Sequence, residues 1–122
     1  MKLQPDPVAA NNVVGGYTQD SVRIGQHTWR TSLLLPWQGQ ARAWRPRRIE
    51  DLGEEDFNAV AALEPELVLF GSGSTLRFPP ARMFAVLMQR RVGVETMDTA
   101  AACRTFNLLV AEGRSVVAAL LL

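Results

Sequence analysis

Three short apolar runs in the second half of the chain restrict its fold more than any other feature: Leu67–Phe70, Val92–Val94 and Ser115–Leu121. Each is too short for a helix and lacks polar–apolar alternation, the pattern of a strand covered on both faces. Helical segments separate them. Pro79-Pro80 opens one that runs to Arg90, with Met83, Val86 and Leu87 as its apolar stripe. Asp98 is placed to cap another through its side-chain oxygen, and Gly113 to close it. Ahead of the first run, Leu52 to Leu63 reads as an amphipathic helix with Phe57, Val60, Ala61 and Leu63 near one face. Glu54, Glu55 and Asp56 in its first turn complement the helix dipole, and Pro65 ends it. The order is β-α-β-α-β. Helices that join consecutive strands make those strands parallel, with right-handed crossovers.

The first half has another rhythm. Gly15-Gly16, Gln19-Asp20 and Gly25-Gln26 punctuate short runs at Tyr17-Thr18, Ser21–Ile24 and His27–Leu35. Val22 and Ile24 alternate with Ser21 and Arg23, which suits half-buried strands in antiparallel hairpins. Ala41–Trp44 adds one more short strand. The expected fold is therefore α/β: a sheet with helices on at least one face, and an N-terminal set of antiparallel strands extending or covering it. Residues 1–12, rich in Pro and Asn, are expected to form a flexible arm, and 13–122 a single α/β domain.

Composition excludes several functions. With 13 Lys+Arg against 12 Asp+Glu the net charge is +1, without the basic excess of a dedicated nucleic-acid binder. One cysteine forbids an internal disulfide, and one histidine with one cysteine excludes every His/Cys-rich metal site. The longest apolar run, Val116–Leu122, falls far short of the ~20 residues of a membrane helix. The N-terminal segment has no targeting pattern, and with the lone cysteine this leads us to expect a cytoplasmic protein.

The segment most suggestive of chemistry is Gly71-Ser72-Gly73-Ser74-Thr75, between a buried strand and a helix. It lacks the lysine of a phosphate-binding Walker loop. It is one residue short of a nucleophile elbow, and it has Leu76 where a dinucleotide fingerprint needs a small residue. No cofactor is implied. Glu95, Thr96 and Asp98 leave the end of the next strand. If the two strands are parallel neighbours, both segments share one sheet edge. There they form a polar pocket suited to a small polar ligand or a partner's loop, with Arg104 and Asn107 as further polar groups. The alternative weighs equally: these residues only cap helices and close turns. Cys103 falls on the apolar stripe of Ala102, Phe106, Leu109 and Val110, which predicts a buried, inert thiol. His27 has no second histidine or acid near it in sequence. The arginines of Arg42–Arg48 precede Glu50-Asp51 and Glu54–Asp56, so that surface is expected to neutralise itself.

Three segments together resemble a known family. They are Leu67–Pro79 (LVLFGSGSTLRFP), Gly93–Glu112 (GVETMDTAAACRTFNLLVAE) and the Arg-x-Val-x-Ala-Ala-Leu-like ending at Arg114–Leu121. Gly25 before the Leu33–Pro36 strand end, and then Trp44, keep the same order. The pattern is similar to domain of unknown function 498, over about residues 12–121. The resemblance implies an α/β fold in three layers, with a central mixed, mostly parallel sheet with helices and an additional N-terminal antiparallel β layer, and no established enzymatic activity. Through a mitochondrial member it implies a non-catalytic part in assembling respiratory complex I. Two functions are therefore expected to compete: a protein-interaction or assembly module, and a small polar-ligand binder or small enzyme built on the loop after residues 67–70.

Overall fold

The structure is a computed structural model and describes residues 10–122. Among these residues eight strands form two sheets. β1 (Val14–Thr18), β2 (Ser21–Ile24) and β3 (His27–Trp29) make an antiparallel meander. β4 (Leu33–Pro36), β5 (Arg42–Ala43), β6 (Leu67–Gly71), β7 (Gly93–Met97) and β8 (Val116–Leu120) make the second, in the order β5-β4-β8-β6-β7. β6 pairs in parallel with both β7 and β8, while β4 runs antiparallel to β8 and to β5. The three apolar runs are thus neighbours, and the sheet is mixed.

Side-chain alternation divides the interior in two. Leu33, Leu35, Leu69, Val116, Ala118 and Leu120 point to one face, where they meet Ala102, Cys103, Phe106 and Val110 of α3 (Thr99–Ala111). Val14 and Val22 of the meander join the same cluster. Leu34, Val68, Phe70, Val117, Ala119 and Leu121 point the other way. They are covered by Trp44, Leu52 and Phe57, by α1 (Asn58–Ala62) and by α2 (Ala85–Gln89). The layers are α1 and α2, then the five-stranded sheet, then α3 with the meander. The step from β6 to β7 goes one way across the sheet and the step from β7 to β8 goes back over β6. The connecting helix changes face with the change of direction, as a constant crossover hand requires.

α3 follows directly from its sequence. Asp98 Oδ1 accepts the Ala101 N–H at 2.9 Å. At the other end Gly113 takes φ +86°. Its N–H donates to the Val110 carbonyl and that of Arg114 to the Leu109 carbonyl, which ends the helix in a Schellman turn.

Several expectations need correction. The run His27–Leu35 is two strands, β3 in the meander and β4 in the large sheet, and between them the Ser32 carbonyl accepts the Trp44 N–H instead of continuing a strand ladder. The helix expected over Leu52–Leu63 begins as a 3-10 turn at Glu54–Phe57 and is α-helical only for α1. The helix expected from Pro79-Pro80 starts later, as a 3-10 turn at Ala81–Phe84 leading into α2. β7 is not buried on both faces. It is the edge strand, so Gly93 and Glu95 stand exposed and its other residues are half-buried. The arm expected over 1–12 lies outside the described residues up to position 9. Asn12, near its end, is held: its side chain donates to the carbonyls of Pro36 at 2.8 Å and Gly39 at 2.7 Å.

Candidate functional site

The C-terminal ends of the parallel strands β6, β7 and β8 meet at one edge of the sheet, and the loops leaving β6 and β7 lie against each other there. The Ser72 N–H donates to the Met97 carbonyl at 2.8 Å, and the Gly73 N–H to Thr99 Oγ1 at 2.9 Å. The Thr99 N–H returns to the Gly73 carbonyl at 2.9 Å, and the Thr99 hydroxyl donates to the Leu121 carbonyl at 2.8 Å. One buried threonine thus joins the exits of all three strands. Gly71 is glycine because there is no room for more: a Cβ there would meet Thr99 Oγ1 and Leu120 Cδ2 at 2.9 Å each. Gly73 is glycine for another reason. Its φ of +108° disfavours any side chain, although the space beside it is open. Ser72 is buried; its hydroxyl donates to the Thr75 carbonyl and accepts the Arg77 N–H, folding the loop on itself.

Two clefts open over this edge. The larger, about 560 Å³, runs from Ser72–Thr75 to Arg47, Arg48 and Glu50, with the Gln19-Asp20 turn of the meander opposite. The smaller, about 330 Å³, lies between Gly73-Ser74, the start of α3 at Asp98–Ala100, and Tyr17–Gln19. Gln19, Gly73 and Ser74 line both, so the two form one continuous groove.

The charges around the groove are unevenly matched. Arg77 pairs with Glu50 at 2.9 Å and holds its carboxyl below the ordinary value. Arg45 grips Asp56 through two bonds, at 2.9 and 2.5 Å. Burial pushes the Asp56 carboxyl up, but Arg45 and the Gly53 N–H outweigh it and leave the group below its usual range. Asp51 accepts the N–H groups of both Arg47 and Arg48, which lowers its pKa as well. Of the basic stretch, only Arg45 is closely paired among the described residues with the acids that follow it, so the surface neutralises itself less fully than the sequence implies. Two guanidinium groups stand apart. Arg48 only approaches Asp51, at 3.9 Å, and Arg47 has no ion-pair partner among the described residues.

The eight residues singled out in the sequence fall into three sets. Ser72, Gly73, Ser74, Thr75 and Asp98 line the groove. Gly71 lies buried beneath it. Glu95 and Thr96 line neither cleft, because the strand runs on past the expected Val94 to Met97 and carries them away from its end. Arg104 donates to the Tyr17 hydroxyl at 2.8 Å beside the smaller cleft. Asn107 is structural: its side chain accepts the Val14 N–H at 2.8 Å and donates to the Val14 carbonyl at 2.9 Å. The sequence reading missed Arg47, Arg48 and the Gln19-Asp20 turn. Arg47 and Arg48 follow β5, which is placed by its pairing with β4 and that of β4 with β8, whereas the Gln19-Asp20 turn arrives with the meander packed on α3, and nothing local signals either.

Cys103 is fully buried, and burial pushes its thiol up to about 11. His27 is exposed on β3, edge-on to Trp29 with ring centroids 4.7 Å apart. Among the described residues no cluster of His, Cys, Asp and Glu is arranged to hold a metal ion. No helix of the described residues is long and apolar enough to cross a membrane.

Fold and groove define a three-layer α/β domain whose open polar cleft lies at the ends of its parallel strands. The chain belongs to the family described as "Protein of unknown function (DUF498/DUF598)", whose pattern matches residues 14–121. A mouse protein, "NADH dehydrogenase [ubiquinone] 1 alpha subcomplex assembly factor 3", is 38% identical over 99 residues, 80% of this chain and 52% of that one. The chain thus spans about half the length of such relatives. The "13 kDa major membrane protein" of Francisella tularensis is 31% identical over 68 residues, 56% of this chain and 55% of that one. A crystal structure of a Bordetella parapertussis protein superposes with a TM-score of 0.87 at 34% identity, covering 94% of this chain and 98% of the other.

Proposed function

We propose that the chain is a non-enzymatic protein-interaction module that assists assembly of a respiratory NADH dehydrogenase of the complex I type. The observation that carries this reading is the 38% identity, over 80% of the chain, to a relative named as an assembly factor for that enzyme. The site chemistry is in keeping with it. The one thiol is buried and held protonated, the one histidine lines neither cleft, and the loop's first two amides are already bonded within the fold. Leu76 and Phe78, which follow the loop, remain 54% and 70% exposed, a surface better suited to contact than to catalysis. The reading places the protein in the cytoplasm of a bacterial cell, working through partner subunits and without a cofactor or nucleic acid. A second reading, binding of a small polar ligand by Ser72–Thr75 and Asp98, is favoured by the groove itself.

The test is deletion of the gene in its own host, followed by native-gel measurement of assembled NADH dehydrogenase and affinity purification of the tagged chain. Reduced assembled enzyme, with its subunits enriched on the tagged protein, is the expected result. Normal enzyme levels without co-purifying subunits would refute the assembly role.

A further inference from the structure

We infer that the groove over the ends of β6, β7 and β8 is a docking site for an extended segment of a partner protein, with an acidic side chain of that segment seated against Arg47 and Arg48. The inference rests on the reading of this chain as an interaction module, and it assigns that module a surface and a partner chemistry.

Four observations converge. The two clefts share Gln19, Gly73 and Ser74, so the depression is elongated and crosses the whole strand-end edge. Its walls are mostly exposed: Gln19, Asp20, Arg47, Arg48 and Ser74 all keep substantial contact with solvent. A small-molecule site buries most of its ligand, whereas an open trough leaves one side of its occupant in water, as a bound peptide strand is. Positive charge is in excess at one end, where Arg47, Arg48 and Arg77 stand against Asp20 and Glu50. Arg77 is committed to Glu50, but Arg47 is unpaired among the described residues and Arg48 reaches Asp51 only at 3.9 Å. A guanidinium pair of this kind favours a carboxylate. The far end carries Asp98, which uses Oδ1 to cap α3 and faces the cleft beside Tyr17 and Thr99. Between the ends, Gly73 presents bare backbone with nothing within 4 Å of a would-be Cβ. The amides of Ser74 and Thr75 make no internal hydrogen bond among the described residues. Main chain with free amides and no side chain in the way pairs readily with another main chain.

The experiment is selection of a random heptapeptide phage library on the intact protein, then titration of the synthetic consensus peptide into nitrogen-15-labelled protein. The expected peptides carry Asp or Glu and shift the amides of Gln19, Gly73, Ser74 and Thr75. Arg47→Glu with Arg48→Glu, both on exposed side chains, should weaken binding by about tenfold or more. Ser74→Trp, which fills the trough, should weaken it independently. An unchanged melting temperature shows that both variants fold. The inference is overturned if no peptide is selected, if the selected peptides shift other amides, or if their affinity ignores the two arginines. It is also overturned if succinate or inorganic phosphate shifts the same amides at the same concentrations as the peptide, which marks a small-anion site. NADH dehydrogenase subunits that still co-purify with the double variant refute the groove and leave the assembly role standing. Loss of assembly function with intact peptide binding does the reverse.

Discussion

The two faces of the five-stranded sheet are filled by different means. On one, a single regular helix, α3, lays Ala102, Cys103, Phe106 and Val110 along the strands, and the meander completes the cover. On the other, rings from scattered segments meet edge to face. Trp44 and Phe57 lie 5.5 Å apart, Phe57 and Phe84 5.1 Å, and Phe70 and Phe84 5.8 Å. Trp44 comes from the segment after β5, Phe57 and Phe84 from the ends of 3-10 turns, and only Phe70 from a strand. A long helix has a periodic stripe to bury. Short turns have none, so large aromatic surfaces supply the burial that regular structure does not. The difference teaches that close packing on this sheet depends on filled volume and not on regular cover.

Truncating one ring on each face is the sharpest test of that contrast. Phe70→Ala and Phe106→Ala should each cost about 3–5 kcal/mol by urea denaturation. Phe70 should lie at the upper end, because it also loses edge contacts to Trp44, Phe57 and Phe84. A larger loss at Phe106 would break the comparison. Next in size is Thr99→Val, on the helix face. It strands the Gly73 N–H and the Leu121 carbonyl and should cost about 1–3 kcal/mol. A near-neutral result would mean that the strand exits are not joined through this hydroxyl. Asp98→Ala removes the cap of α3 and should cost about 1 kcal/mol.

Acid titration probes the aromatic face, since Asp56 accepts from Arg45 there and its carbonyl accepts the Trp44 indole N–H at 3.1 Å. The folded carboxyl titrates below its unfolded value, so its contribution is present above the unfolded pKa, about 3.9. It is lost as pH falls through the lower, folded value. Stability should therefore decline below about pH 4, and Asp56→Asn should flatten that decline. An unchanged acid limb in the variant would show that the pair does not couple to folding. The smallest expected effect is none at all: Cys103, on the buried face of α3, should resist a bulky thiol reagent until denaturant is added.

How much was legible follows the same division. α3 carries a cap, a period and a terminating glycine in one stretch, and it was readable to within a residue or two. The parallel pairing of β6 with its neighbours followed from the intervening helices. The aromatic face was not readable, because no local period brings Trp44, Phe57 and Phe84 together. β7 was misjudged as fully buried, since Val92 and Val94 look alike whether a strand lies at the centre of a sheet or at its edge. For the site, the glycine loop and Asp98 were visible as strand-end residues. Arg47 and Arg48 were set aside as part of a self-neutralising surface. Their opposing acids were counted correctly, but Asp51 turns toward backbone N–H groups and Asp56 toward Arg45.

The grip of Asn107 on Val14 has a consequence for the order in which this chain can fold. The amide side chain imitates a neighbouring strand, bonding both main-chain groups of a residue 93 positions earlier. β4 depends on a partner almost as distant, with Leu33 opposite Leu120. During synthesis both N-terminal segments emerge long before the surfaces that receive them exist. Their loops close late, after α3 and β8 have been made, and the closure entropy falls on those long-range contacts. Until then the apolar sides of Val22 and Leu33–Leu35 stand uncovered, so the incomplete chain exposes surface that the finished fold buries.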